Sequence, residues 1–290
     1  MNLILAAMGA VLFLVLAPIL GGLIAGIDRV LTARMQSRRG PPVLQPFYDI
    51  SKLWHKERAF ANPVEMIFTT GYLVLIAFSG ALLFAGGDLL LIVFALALAH
   101  TFLILAAYAA NAPYSTVGAE RELIGVMVAE PILILLAAGF FMITSSFFVS
   151  DILVSAVPPI IYLPGVFLAL FAVLTLKLRK SPFDISTSHH AHQELVKGVT
   201  SSLSGRTLAK VEIAHWYETI LILALMFLFF AGNPVLGIIV IIVCYFLEIL
   251  MDNLFPRVTW RMTVKSLWIV TIILGVANIA VIGLCGGVIG

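Results

Sequence analysis

The chain has 290 residues, of which 62% are hydrophobic and only 11% charged, and its formal net charge is +2. A soluble domain carries about 25% charged residues on a polar surface that this composition cannot supply, so a soluble enzyme, a disordered chain and a disulfide scaffold are all excluded. So small a net charge gives no reason to expect a nucleic-acid partner.

What remains is an all-α integral membrane protein, expected as a single transmembrane domain over residues 1–290. Crossing a bilayer takes about 20 mostly apolar residues. Eight stretches qualify: 2–27, 64–85, 89–110, 122–148, 159–178, 213–232, 235–250 and 266–289. The first has too long an apolar core for a signal peptide and no small-residue cleavage site, so a retained helix is expected.

The basic residues then set the topology. Arg29, Arg34, Arg38, Arg39, Lys52, Lys56 and Arg58 follow the first span, and Arg121 follows the third. Lys177, Arg179, Lys180, Lys197, Arg206 and Lys210 follow the fifth, and Arg257, Arg261 and Lys265 the seventh. These are all 17 lysines and arginines of the chain. The even-numbered loops hold none, so the odd-numbered loops are expected in the cytoplasm and both termini outside.

Two of the cytoplasmic loops, 28–63 and 179–210, are long. In the first, Phe47, Ile50, Leu53 and Trp54 recur at helical spacing, with Asp49, Lys52, His55 and Lys56 between them. Such an amphipathic helix either rests on the lipid headgroups or packs under the bundle and docks a soluble partner. Arg34, Arg38, Arg39, Asp49, Lys52 and Lys56 form the candidate docking set. The second loop is polar, rich in Ser, Thr and His, and longer than an ordinary connection. No internal repeat relates the two halves, which argues against an inverted-repeat transporter.

Ionisable groups inside spans are costly, so each needs a reason. His100 lies in the third span, and Glu130 in the fourth directly before Pro131. Glu212, His215 and Glu218 run along the start of the sixth, and Glu248 lies in the seventh with Asp252 one turn later. Pro131 frees a backbone carbonyl one turn back, so the helix bends and admits water near the Glu130 carboxylate. At about 3.6 residues per turn, Glu212, His215 and Glu218 share a broad face. Acid, imidazole and acid in succession can pass protons. A lone histidine facing a bundle interior serves equally as a helix–helix hydrogen bond.

His189, His190 and His192 with Glu194 have the composition of a metal site but not its spacing, so a proton-accepting or partner-contacting loop is expected instead. Cys244 and Cys285 have no spacing partner and read as small buried hydrophobes. There is no phosphate-binding loop, dinucleotide glycine pattern, cysteine ligand set or nucleophile–base motif. Any redox chemistry would belong to a partner.

The loops carry a resemblance. The run Ala33-Arg34-Met35-Gln36-Ser37-Arg38-Arg39-Gly40-Pro41, then Leu44-Gln45-Pro46, Asp49, Lys52-Leu53 and Lys56-Glu57, resembles the first cytoplasmic loop of the NuoH-type membrane subunit of respiratory complex I. Ser181-Pro182-Phe183-Asp184 resembles that family's Ala-Pro-Phe-Asp element. Glu194-Leu195-Val196-Lys197-Gly198 with Ser204-Gly205 resembles its Glu-Leu-Val-Thr-Gly and Ser-Gly stretch. The glycine–proline loop is shorter than that of complex I, and the Asn-Val-Glu-Tyr portion before Ser204 is missing. Three other runs are similar to the homologous subunit of group 4 energy-converting NiFe hydrogenases of the Ech type. They are His189-His190-Ala191-His192-Gln193-Glu194, Glu212-Ile213-Ala214-His215-Trp216-Tyr217-Glu218, and Ala119-Glu120-Arg121-Glu122 with Val128-Ala129-Glu130-Pro131.

The resemblance implies a membrane subunit without cofactors of its own. It would anchor a soluble arm whose NiFe large subunit and iron–sulfur small subunit hold the NiFe centre and the iron–sulfur clusters. That arm exchanges electrons with ferredoxin, and antiporter-like membrane subunits sit alongside in the lipid bilayer. Glu130, Glu194, Glu212, His215, Glu218, His100 and Glu248 would couple the redox work to H⁺ or Na⁺ movement, with Asp184 shaping the loop.

Overall fold

Lipid offers no hydrogen-bond partner to a backbone, so each apolar stretch must satisfy its own amides and carbonyls as a helix. A computed structural model describes residues 3–57, 62–155, 157–183, 186 and 197–285. Asp184, His189, His190, His192 and Glu194 lie outside the described residues. The helices are α1 (Leu3–Met35), α2 (Gln45–His55), α3 (Val64–Phe84), α4 (Leu89–Ala109), α5 (Pro113–Thr144), α6 (Val149–Val154), α7 (Pro164–Lys177), α8 (Gly205–Phe227), α9 (Pro234–Leu254), α10 (Trp260–Val270) and α11 (Ala277–Cys285). A π-helical turn, Thr271–Val276, joins the last two into one rod.

Seven helices among the described residues are long and apolar enough to cross a membrane: α1, α3, α4, α5, α8, α9 and the α10–α11 rod. The protein is therefore a multi-pass, all-helical membrane protein. The stretch expected at 159–178 is a 3₁₀ turn, Pro159–Ile161, followed by the 14-residue α7. Pro158 just before the stretch, with Pro159 and Pro164 within it, breaks the helix on the way in.

Several helices outrun their apolar stretches. α1 continues to Met35 where 27 was expected, α5 starts at Pro113 rather than 122, and α8 starts at Gly205 rather than 213. Hydropathy marks where lipid ends, whereas caps and turns mark where a helix ends. Proline at the first turn starts α5, because its missing N–H has no helical partner there. Asp88 caps α4, accepting from the amides of Leu90 (2.8 Å) and Leu91 (3.1 Å).

The core lies between α3, α4, α5 and α8, where Tyr72, Ile76, Leu96, Leu103, Leu136 and Phe140 are fully buried. α1 packs on α3 and α8. α2 lies across α1 and α8, as its amphipathic pattern allows. Phe47 stacks obliquely on Trp216 with ring centroids 5.2 Å apart, and the Arg206 guanidinium lies 5.9 Å from the Trp54 ring. Gly118 of α5 lets residues 198–199 cross at backbone contact, where a Cβ would strike the amide of Val199.

The start of α7 has free amides inside the bundle, and Asn278 of α11 holds them. Its Oδ1 accepts from Gly165 N (3.1 Å) and Val166 N (3.2 Å), and its Nδ2 donates to Tyr162 O (3.0 Å). An amide left without a partner costs about 1–3 kcal/mol. Asn278→Leu is expected to lower the thermal midpoint of the purified protein in detergent. An unchanged midpoint would show that α7 needs no clasp.

Candidate functional site

The end of α7 carries the cations that organise the interior. A chain leaving a helix must satisfy its last carbonyls, and here it does so with a left-handed residue. Arg179 has φ +54°, Lys180 N donates to Thr175 O (3.1 Å), and Arg179 N donates to Leu176 O (3.1 Å). Glycine usually fills this position. A residue with a side chain there costs about 1–2 kcal/mol. The sharp turn sends Lys177 and Arg179 toward α4, α5 and α8, and Lys180 toward α1 and α9.

The first cluster centres on Glu218 of α8, which is 3% exposed. Its Oε1 lies 2.8 Å from His100 Nε2 of α4 and 3.5 Å from Lys177 Nζ. Its Oε2 accepts from the hydroxyl of Tyr72 of α3 at 3.2 Å, and His215 Nδ1 lies 3.6 Å away. Tyr72 Oη is also 3.1 Å from His215 Nδ1. A hydrogen-bonded line therefore runs from the half-buried His215 through Tyr72 and Glu218 to His100. Beside it, Glu122 of α5 pairs with Arg179 at 3.6 Å and accepts from Ser186. Burial disfavours the Arg179 charge, but Glu122, Tyr72, Glu218 and Glu212 together outweigh this and raise its pKa. His100, Arg121, Glu122, Lys177, Arg179 and Glu218 line a cleft with room for a water molecule.

Donor and acceptor accounting limits how this network is protonated. His100 Nδ1 lies 2.8 Å from the Leu96 carbonyl oxygen, which can only accept, so Nδ1 carries a hydrogen. Nε2 lies 2.8 Å from Lys177 Nζ and 2.8 Å from Glu218 Oε1. It has either one lone pair or one hydrogen to serve both. With a lone pair, it accepts from a Lys177 ammonium and from a protonated Glu218. With a hydrogen, it donates to a Glu218 carboxylate and to a neutral Lys177 amine. The same heavy-atom positions accommodate both states, and the two differ by one proton.

Of the expected coupling residues, the structure brings together Glu218, His215 and His100. Glu212, one turn before His215, is half-buried and acts on His215 and Arg179 only through its charge. Glu130 is half-buried and makes no hydrogen bond or ion pair with a described residue. Glu248 lies apart, on α9. Sequence reasoning missed Tyr72, Glu122, Lys177 and Arg179. The signal for Lys177 was a lysine in the last turn of an apolar helix. The signal for Glu122 was Pro113, which places the helix start well before it.

In the docking set, Arg34, Arg38, Arg39, Lys52 and Lys56 are exposed. Asp49 instead pairs with Arg29 at 2.8 Å and accepts from Gln45 at 3.0 Å. Slight burial raises its pKa, but these two bonds together with the charges of Arg29 and Lys52 outweigh it and hold the carboxyl below its usual range.

A multi-pass bundle of helices with a buried network of charged side chains among its described residues defines a class: an all-helical integral membrane protein. Residues 7–283 match the NADH dehydrogenase family model, and the chain belongs to that family. It is 31% identical over 223 residues to hydrogenase-4 component C of Escherichia coli K12, covering 71% of this chain and 67% of that one. It is 27% identical over 281 residues to formate hydrogenlyase subunit 4 of the same organism, covering 82% and 89%. With a subunit of the F(420)H(2) dehydrogenase of Methanosarcina mazei it shares 30% over 269 residues, covering 79% and 76%. A chain of the membrane-bound sulfane sulfur reductase, an archaeal respiratory membrane complex, has the same fold. The TM-score is 0.78 at 23% identity, covering 97% of this chain and 99% of that chain.

Proposed function

We propose that this chain is the membrane-anchoring and ion-coupling subunit of a membrane-bound NiFe hydrogenase, linking ferredoxin and hydrogen chemistry to H⁺ or Na⁺ translocation. The observation that carries the reading is the Glu218–His100–Lys177 triangle, whose contacts fit two states one proton apart. A group that gains and loses one proton without rearranging can couple a change of charge at the bundle end to ion movement within it. Likeness to a hydrogenase component and a formate hydrogenlyase subunit favours hydrogen chemistry within the family. The NiFe and iron–sulfur centres then belong to partner subunits of a soluble arm, with antiporter-like subunits beside the chain in the membrane.

The sidedness follows the basic residues. α7 rises about 21 Å and the turn before it about 6 Å, near the ~30 Å of a hydrocarbon core, so we count it as the eighth crossing. Both termini are then outside, with residues 28–63 and 179–210 in the cytoplasm. The exposed Arg38 and Arg39 belong to the docking face for the arm. Charge reversal, Arg38→Glu with Arg39→Glu, is expected to release the nickel-containing subunit during mild-detergent purification. Retention of stoichiometric nickel through high-salt washes would place docking elsewhere. The reading as a whole is tested by ion flux in liposomes. The assembly should form a gradient during hydrogen turnover, and this chain alone should not. Flux through the isolated chain would mark it as a self-sufficient transporter.

A further inference from the structure

Lys180, turned away from the Glu218 network, belongs to a second buried cluster between α1, α7 and α9. Its Nζ lies 2.8 Å from Asp28 Oδ2 and 5.1 Å from the centre of the Tyr245 ring. Tyr245 donates to Asp28 at 3.3 Å. Inward of this pair lies Glu248, one turn from Tyr245 on α9 and 0% exposed. Its Oε1 accepts from the Thr175 hydroxyl at 3.0 Å, while its Oε2 is buried with no hydrogen-bond partner among the described residues. The titratable groups around it are Lys180 from the end of α7, Asp28 from α1, and Cys244, Tyr245 and Asp252 from α9 itself. Asp252 is engaged by the amide of Ser181 at 2.9 Å.

A carboxylate offers about four acceptor positions, and here one is used. A bare carboxylate oxygen sealed from water costs far more than a neutral carboxyl in the same place. The side chain is nonetheless not walled into permanent neutrality. Lys180 interacts electrostatically with it, and the Asp28 side chain paired with Lys180 is 21% exposed. If the proton leaves, Lys180 is the cation placed to offset the new charge. Asp28 keeps hydrogen bonds from Tyr245 and, at 3.4 Å, from Thr32, so it can share that cation.

We propose that Glu248 is a second proton-binding site, separate from the Glu218 network, whose ionised form the Lys180 cation offsets. The ligand is H⁺ rather than a metal cation, since among the described residues a single hydroxyl is the only oxygen donor that meets this carboxyl, and the nearby cation is Lys180. The two sites share only the end of α7, from which Lys177 serves one and Lys180 the other.

Infrared difference spectroscopy of the whole purified assembly, stepped from mildly acidic to alkaline pH, tests this. The expected result is a C=O band of a buried protonated carboxyl that disappears as pH rises. It is lost in Glu248→Gln and retained in Glu218→Gln. In Thr175→Val, which removes the one hydrogen bond but keeps the acid, it moves to higher frequency. Three results overturn the proposal. One is a Glu248→Gln spectrum identical to the wild type. Another is a band that no pH step removes, which makes Glu248 a permanently neutral structural group. The third is a band bleached by Na⁺ at fixed pH, which makes the site a metal-cation site. None of these depends on gradient formation, so the outcome stands whether or not the Glu218 network couples.

Discussion

Glu218→Gln is expected to abolish ion-gradient formation while leaving the assembly intact enough to purify. Gln keeps the length and the acceptor for Tyr72, but it cannot be charged and cannot take the extra proton. A positioned proton-transfer group contributes about 10²–10⁴-fold, so the rate of gradient formation should fall by a factor in that range. Hydrogen turnover falls with it only as far as the two processes are tightly coupled. The substitution also leaves Lys177 and His100 without their counter-charge, and loss of one partner of a buried pair costs about 3–5 kcal/mol. Glu218→Asp separates the two effects, because it keeps the charge and withdraws it by one methylene. The aspartate variant should recover assembly fully and gradients partly. Glu57→Gln, at an exposed position, should do neither harm. Hydrogen evolution and pH or Na⁺ gradients, read in the same proteoliposomes, decide. Normal gradients in Glu218→Gln would show that the network is a structural clasp.

The fold was legible because lipid leaves the chain so few choices. Apolar length located seven long helices and the short α7 among the described residues. The helix ends were less legible. Glu122 was placed at a span boundary because α5 turns polar there, yet the helix runs back to Pro113 and carries Glu122 into the interior. The site itself was half legible. The spacing of His215 and Glu218 is local and could be read from one helix. Their partners Tyr72, His100 and Lys177 come from three other helices, and no local pattern connects positions so far apart. The three cations after residue 176 informed the topology, but their separation into two clusters depends on one left-handed residue, Arg179. Nothing in its side chain announces that conformation. Glu130, singled out by its proline, has no partner in the network, since a helix bend alone does not bring another charged group to it.

That left-handed turn gives the second large expectation. Arg179→Met leaves the Glu122 carboxylate buried beside Lys177 without its guanidinium, and Glu122→Leu leaves the guanidinium without its carboxylate. Arg179→Met is expected to destabilise the assembly by about 3–5 kcal/mol, the cost of an uncompensated buried charge, and Glu122→Leu by less, because Arg179 keeps other interactions. The double variant removes both charges and should regain most of that loss, because well-packed apolar replacements of buried pairs are often neutral. The backbone at residue 179 is equally strained in Arg179→Met and in the double variant, so the comparison isolates the ion pair. Coupling should not follow stability. Glu122 acts electrostatically on Lys177 and His100, and Arg179 on Tyr72 and Glu218. Without the pair, the field at the triangle changes and the balance between its two proton states moves. The double variant should therefore purify intact, melt near the wild type and still form a weakened gradient. Thermal midpoint and gradient size, measured on the same preparations, give the answer. Full recovery of both would mean that the pair only packs, and that the proton balance at Glu218 is set by Lys177 and His100 alone.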